Sequence, residues 1–271
     1  MEKATLHRAP KLDNLLLFKA HYHKFQFTRH CHDDFALGLM YRGVQRFSYR
    51  GAARYAPAGT LITVNPGEIH DGMSGDDSDF SYRIMYIPWE LMQTIGEEMV
   101  AGRKNHYFAH PVINDRELSQ QLGHLLQLLD DDTSEQLELE VLFSKTVASL
   151  LSSYGTEQLE HGAAVQIPSP VAQACAYIRD HAHEHISLDD IAAAAHLSRY
   201  HFLRLFSDAM DISPYSFLLH HRLQLAKKEI RLGVSLAESA LNAGFADQSH
   251  MNRRFKSAFG ITPRQYQKAI C

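Results

Sequence analysis

Three histidines in the first third of the chain have types and spacing that could do chemistry. His30 and His32 lie two apart, which on a strand points both imidazoles to one face, and His70 ends the turn Pro66-Gly67-Glu68-Ile69-His70. Three imidazoles converging inside a barrel could hold a divalent metal, since neutral imidazole nitrogens suit borderline cations. The same side chains could instead line a polar pocket or hydrogen-bond within it. Glu68 could add a polar contact to a bound molecule or face solvent from its turn. His21 and His23 repeat the two-residue spacing.

A second set lies in the last hundred residues. Arg199, Tyr200, His201 and Arg204 share one helix face, and Gln248, Ser249, His250, Asn252 and Arg253 share another. Arginine can bond bidentately to guanine O6 and N7, asparagine and glutamine to adenine, and tyrosine or histidine can reach thymine methyls or phosphates. Lys256, with Arg222, Lys227, Lys228, Arg254 and Arg264, suits phosphate contacts, which add affinity but little sequence information.

The elements that must position these groups differ between the two halves. From Lys24 to about Ile87 the chain reads as short strands, Phe35–Tyr41, Val44–Tyr49, Gly59–Val64 and Phe80–Ile87, with turns at Arg42-Gly43, Arg50-Gly51, Pro57-Ala-Gly59 and Pro66-Gly67. Many short strands at this spacing favour a sandwich or barrel. Beyond Asp115 the period becomes helical. Leu118, Leu122, Leu125, Leu126 and Leu129, then Leu137, Val141, Phe143, Val147, Leu150 and Leu151, predict a helical hairpin whose apolar stripe packs on the barrel or forms a dimerisation face.

The second half contains an internal repeat. Ser187-Leu-Asp-Asp190 and Ser235-Leu-Ala-Glu238 are capping boxes 48 residues apart, each opening a short helix. After turns at His196-Leu197-Ser198 and Gly244-Phe245-Ala246-Asp247, one residue longer, the offset becomes 49. Phe202/Met251, Arg204/Arg253, Phe206/Phe255, Ala209/Ala258, Ile212/Ile261 and Pro214/Pro263 match in that register. Each copy has the form of a helix-turn-helix, with its apolar set (Phe202, Leu205, Phe206, Ala209; Met251, Phe255, Ala258, Phe259) turned inward. Between them, Pro214 to Leu232 predicts a helix of about 18 residues, roughly 27 Å at 1.5 Å per residue. Such a strut could set two recognition helices about one DNA turn, roughly 34 Å, apart. His181, His183 and His185 fall where the preceding helix ends, and imidazoles there favour the C-terminal dipole over metal coordination.

Charge separates the halves as well. The 271 residues carry a net −4, yet residues 169–271 hold twelve Lys+Arg against nine Asp+Glu, +3, leaving −7 in residues 1–168. An acidic half hides a mildly basic one, so the overall balance does not exclude DNA. Cys31, Cys175 and Cys271 lie far apart with no CxxC, so neither a disulfide framework nor a cysteine zinc finger is indicated, and a cytoplasmic protein is expected. The start of the chain shows no apolar signal segment, and no stretch approaches the roughly 20 apolar residues of a spanning helix.

The histidine region resembles the cupin family: His30-Cys-His32, Gly43, Gly59, Pro66-Gly67 and His70 look like its motif positions. Where that family carries a Glu, this chain has Phe35, Ala36 and Leu37, which leaves an enzymatic metal site incomplete. Residues from about Val171 to Tyr266 resemble the AraC/XylS family of bacterial transcriptional regulators, through Ala240, Ala243-Gly244-Phe245, Asp247-Gln-Ser-His250, Arg253, Phe255-Lys256, Phe259-Gly260, Thr262-Pro263 and Tyr266. Tyr200, His201, Arg204, Ser249, His250, Asn252 and Arg253 match that family's base-facing sites, and Leu203 replaces a residue often polar there.

The expected architecture is multidomain: an N-terminal antiparallel cupin-like β-barrel plus helical hairpin, and a C-terminal all-α domain with two helix-turn-helix motifs. The expected boundaries are a sensing barrel at 1–112, the hairpin at 113–155, a linker at 156–169 and the DNA-binding domain at 170–271. The expected function is effector-controlled, sequence-specific DNA binding, with His30, His32, Glu68 and His70 at the effector and no catalytic residue. No cofactor is required on this reading, although His30, His32 and His70 could hold a divalent metal in the barrel. Double-stranded DNA, a small-molecule effector, a second copy of the chain and RNA polymerase are the implied partners, with no membrane. The alternative is a metal-dependent cupin enzyme whose C-terminal half localises it on DNA.

Overall fold

A computed structural model describes residues 2–100, 106–131, 133–157 and 168–270. The chain divides into two compact units, Met1–Glu160 and His161–Cys271. Most of the expected linker, residues 158–167, lies outside the described residues.

In the first unit, strands β1 (Lys3–Ala9), β2 (Leu15–Tyr22), β3 (Phe27–His30), β4 (Phe35–Arg42), β5 (Val44–Tyr49), β6 (Ala52–Pro57), β7 (Leu61–Val64), β8 (His70–Ser74) and β9 (Phe80–Ile87) precede helix α1 (Trp89–Met99). Then come β10 (His106–Phe108), β11 (Val112–Ile113), α2 (Arg116–Leu128), α3 (Gln136–Tyr154) and β12 (Gly155–Glu157). The strands form a six-stranded sheet, β1-β2-β9-β4-β7-β11, a four-stranded sheet, β3-β8-β5-β6, and the pair β10-β12. Among the described residues the ladders of the two large sheets are antiparallel, as in β4, where Leu37 faces Thr63 of β7 and Met85 of β9. The expected cupin-like β half is present, with its strands divided between two sheets.

Alternation along the six-stranded sheet decides what lies on each side. Leu17, Leu37, Leu39, Leu61, Met85 and Ile87 join Met92, Leu118, Leu122, Leu125, Leu126, Phe143, Val147, Leu150 and Leu151 in one core, so the hairpin packs on that sheet. Leu137 and Val141 remain 70% and 59% exposed. On the opposite side, Tyr22 meets Phe27 edge-on at 5.6 Å and Tyr86 lies 5.0 Å from the His32 ring, joining the two sheets through aromatic contacts. Strands β1 and β2 and helix α1 extend the fold beyond the sequence reading.

The second unit is all helical: α4 (Ser169–Asp180), α5 (Leu188–Ala194), α6 (Arg199–Met210), α7 (Pro214–Arg231), α8 (Leu236–Asn242), α9 (Gln248–Phe259) and α10 (Pro263–Ile270). Local chemistry sets the boundaries. The hydroxyl of Ser187 accepts from the Asp190 amide, and the Asp190 carboxylate accepts from the Ser187 amide at 2.8 Å. Ser235 caps α8 through the Glu238 amide, Ser213 caps α7, and Thr262 with Gln265 closes a reciprocal pair before Pro263. The two copies end alike, α6 at Asp211 with φ 54° and α9 at Gly260 with φ 73°. Helix α7 touches α4 and α6 on one side of the repeat and α8, α9 and α10 on the other.

His221 of α7 has a buried Nε2 with no hydrogen-bond partner. Burial, with a smaller contribution from Arg179, pushes its pKa down to about 4. The unfolded chain, at about 6.5, binds a proton that the folded chain does not, so stability falls as pH drops from about 6.5 to about 4 and this effect then levels off. Thermal melts across that window are expected to show a steeper acid slope in the wild type than in His221→Leu; equal slopes would exclude His221 as the cause.

Candidate effector pocket and nucleic-acid interface

His30 and His70 are direct cross-strand partners at the end of β3 and the start of β8. Their ring centroids are 4.4 Å apart, and those of His32 lie 4.8 Å from His30 and 5.0 Å from His70. One ligand nitrogen from each comes within 4.8 Å of the others, and all three side chains are nearly buried. His32, however, lies just past the end of β3, so the convergence comes from the chain turning there and not from alternation along one strand.

Two rings have a fixed tautomer. His30 Nδ1 lies 2.8 Å from the Thr28 carbonyl and His70 Nδ1 2.9 Å from the Glu68 carbonyl. A carbonyl only accepts, so each Nδ1 carries hydrogen and, in the neutral ring, each Nε2 keeps its lone pair. Burial lowers the His70 pKa and raises that of the nearby Tyr86 phenol, favouring the neutral form of both.

Glu68 takes a different place from the one expected. Its carboxylate accepts from Arg50 Nε at 3.1 Å and from the Tyr107 hydroxyl at 3.1 Å, so its pocket contribution is the carbonyl that holds His70. His21 and His23 flank Asp79 at 3.3 and 2.8 Å, apart from the three-histidine cluster. The sequence reading missed Asn65, which is 3% exposed. Its amide grips both sides of Phe108, donating to the carbonyl at 2.9 Å and accepting from the N–H at 2.8 Å. In the sequence, Asn65 shows only as the residue before the Pro66-Gly67 turn.

In the second unit the starts of α6 and α9, the latter capped by Asp247 accepting from the His250 amide at 2.6 Å, present the polar faces. Tyr200 is 81% exposed, and His201, Arg204, Ser249, Arg253 and Lys256 are exposed with it. Gln248, His250 and Asn252 are half-buried. Burial, then Arg254 and Arg253, lowers the His250 pKa, which favours the neutral ring. Its edge meets Phe245 at 5.3 Å. Gln248 and Asn252 line a cleft of about 500 Å³ with Leu236, Thr262, Arg264 and Gln267, and the Asn252 Oδ1 is buried there without a partner.

Several cations are already engaged. Arg199 forms a two-point ion pair with Asp189 of α5, so it braces the two helices of its own unit. Arg222 donates to the carbonyls of Ala182 at 2.8 Å and Glu184 at 2.7 Å, Lys227 lies over the Phe259 ring at 5.1 Å, and Arg254 lies over Tyr215 at 5.8 Å. The phosphate role expected for these three therefore gives way to internal contacts, while Lys228, Lys256 and Arg264 stay exposed. His181 caps α4 as expected, with Nδ1 on the Tyr177 carbonyl at 2.9 Å and its ring stacked on Tyr177.

A β-rich domain followed by two helix-turn-helix units on a shared helix is the architecture of a ligand-responsive DNA-binding regulator. Family models agree: residues 14–147 match the AraC-like ligand binding domain and residues 191–269 a helix-turn-helix domain. The chain belongs to the AraC/XylS family of transcriptional regulators. It is 29% identical over 227 residues to the HTH-type transcriptional regulator YbfI of Bacillus subtilis, covering 83% of this chain and 82% of that one. The Transposon Tn10 TetD protein of Escherichia coli is 32% identical over 93 residues, 34% of this chain and 67% of that one. Among solved structures, ToxT of Vibrio cholerae with a bound unsaturated fatty acid has the same fold, with a TM-score of 0.54 at 14% identity over 93% of this chain and 94% of that one. No described helix is long and apolar enough to cross a membrane.

Proposed function

We propose that this regulator reads DNA through Tyr200, His201 and Arg204 of α6 and through Gln248, Ser249, His250, Asn252 and Arg253 of α9, with Lys256 on a phosphate and Arg199 joining when it leaves Asp189. The effector sits at His30, His32 and His70. One observation carries the reading: equivalent arginines, Arg204 and Arg253, stand exposed on equivalent helices of two copies built onto one strut, α7. A solvated arginine needs no such duplication, whereas reading two successive stretches of one duplex face does. Pairing of two copies through Leu137 and Val141, and contact with RNA polymerase at the promoter, complete the proposal.

Mobility-shift titrations at several salt concentrations test it. Arg204→Ala and Arg253→Ala are each expected to weaken specific binding by about 1–3 kcal/mol and to relax selectivity at the bases they face. Lys256→Ala should weaken all sequences alike and flatten the salt dependence by about one ion. Full specific affinity in both arginine variants would overturn the residue assignment.

A further inference from the structure

We propose that the hairpin side of the six-stranded sheet holds a second ligand site, which takes a small dianion, a phosphate monoester or a dicarboxylate, in exchange for the carboxylate of Asp130. Strand alternation puts Lys19 and His21 of β2, with Ser81 and Arg83 of β9, on the same side of the sheet as Leu17 and Met85. The register carries the rows across to β1: Thr5 faces Lys19, which faces Arg83, and Lys3 faces His21, which faces Ser81. Where the hairpin covers this side, the residues are apolar and form the core. Beyond it, the same side opens as a cleft of about 500 Å³ lined by the polar residues of these two rows and by Tyr41. The site lies across the sheet from His32, whose ring meets Tyr86 on the other side.

The charges of the cleft do not balance. Arg83 is only 6% exposed, and a buried guanidinium needs a partner. Asp130, in the turn between α2 and α3, supplies one by accepting at two points, 2.9 and 2.8 Å. Lys19 reaches the same carboxylate at 3.6 Å, and Lys3 lines the cleft with it. His21 is matched separately by Asp79 at 3.3 Å. Among the described residues, Lys3, Lys19 and Arg83 thus share Asp130 for a net +2, in a half of the chain that is −7 overall. Anchoring the hairpin needs Arg83 and Asp130 alone. Lys19 stands directly across from Arg83, where like charges repel, so the lysines add a cost that a bound dianion removes. A guanidinium fork accepts phosphate and carboxylate alike, and the hydroxyls of Thr5, Tyr41 and Ser81 can serve the rest of the molecule. Asp130, 41% exposed, has solvent to turn to, whereas Arg83 has none. Its departure releases the α2–α3 turn from the sheet, so occupancy of the cleft acts on the hairpin.

The test titrates the full-length protein calorimetrically, in a chloride buffer of low ionic strength, with inorganic phosphate, glycerol 3-phosphate and succinate. Saturable binding of one anion per chain is expected, and the tighter of the two organic anions names the source. Lys19→Gln should weaken that binding about 10-fold and Arg83→Gln at least as much. Asp130→Asn, which removes the competing carboxylate, should strengthen it about 10-fold. Arg54→Gln, an exposed cation on the four-stranded sheet, should change nothing. Hydrogen exchange at the Thr133 and Ser134 amides, both bonded to Asp131 within the turn, should quicken when the anion binds. Circular dichroism checks each fold; if Arg83→Gln does not fold, the exposed Lys3→Gln joins Lys19→Gln in its place. No saturable binding by any of the three anions, or full affinity in the lysine variants, overturns the site. Binding by Asp130→Asn no tighter than that of the wild type, or unchanged exchange at the turn, overturns the displacement of Asp130.

Discussion

Phe255→Ala is expected to destabilise the C-terminal unit by about 3–5 kcal/mol and to abolish specific DNA binding at temperatures where the wild type still binds. The ring is fully buried, 4.8 Å from Phe259 and 5.6 Å from Tyr266, at the point where α9 meets α10. Truncation leaves a void among aromatic neighbours that cannot collapse onto it, and domains of this size have only about 5–15 kcal/mol in total. Phe206, its counterpart 49 residues earlier, packs on Phe202 at 5.4 Å and Phe217 at 5.7 Å, so Phe206→Ala should behave alike. Urea unfolding measures both; a loss below about 1 kcal/mol would show that these rings lie outside the core of the unit.

Gly244→Ala should destabilise the same unit by about 2–4 kcal/mol, although it adds only a methyl group. Gly244 has φ 81°, where an L residue is strained by about 1–2 kcal/mol. A Cβ there would lie 2.8 Å from the Ala182 carbonyl oxygen, 3.0 Å from that of His183 and 3.0 Å from Arg222 Nε. It would thus press on the atoms through which Arg222 holds the α4–α5 loop. His196 holds the same turn position in the first copy at φ 55°, exposed. His196→Gly should therefore change stability by less than about 1 kcal/mol, relief of strain offsetting the added freedom of the unfolded chain. Thermal melts of the pair decide the matter, and a Gly244→Ala loss of no more than about 1–2 kcal/mol would show that turn conformation alone, not the contact with the loop, governs Gly244.

These effects arise where the sequence was most readable. Ser187, Ser235, Ser213 and Thr262 announce their helices because a cap acts within three residues, and Phe206 and Phe255 declare the core because a helix repeats every 3.6 residues. What stayed hidden depends on distant partners. Lys3 to Ala9 has one neighbouring strand and a half-exposed pattern, so its alternation is weak as a signal. Arg222 looks like any surface cation until the carbonyls 40 and 38 residues earlier come to meet it. Arg199 is similar, its partner ten residues back across a turn. In the pocket the histidine types were legible, but the turn that carries His32 past β3, and the Asn65 clamp 43 residues from Phe108, belong to tertiary structure.

Helix α7 has a mechanical consequence. Its 18 residues, about 27 Å of continuous hydrogen-bonded backbone, are built into the packing of both copies, with Phe217, Leu218, Leu223, Ala226 and Ile230 buried along its length. An element clamped at both ends by packed side chains has no hinge at which to stretch, so the angular phase between α6 and α9 is set in the protein before any duplex arrives. Adjustment then falls to the nucleic acid: base steps lying between the two reading helices, touched by neither, contribute through how readily they bend to match a rigid gauge.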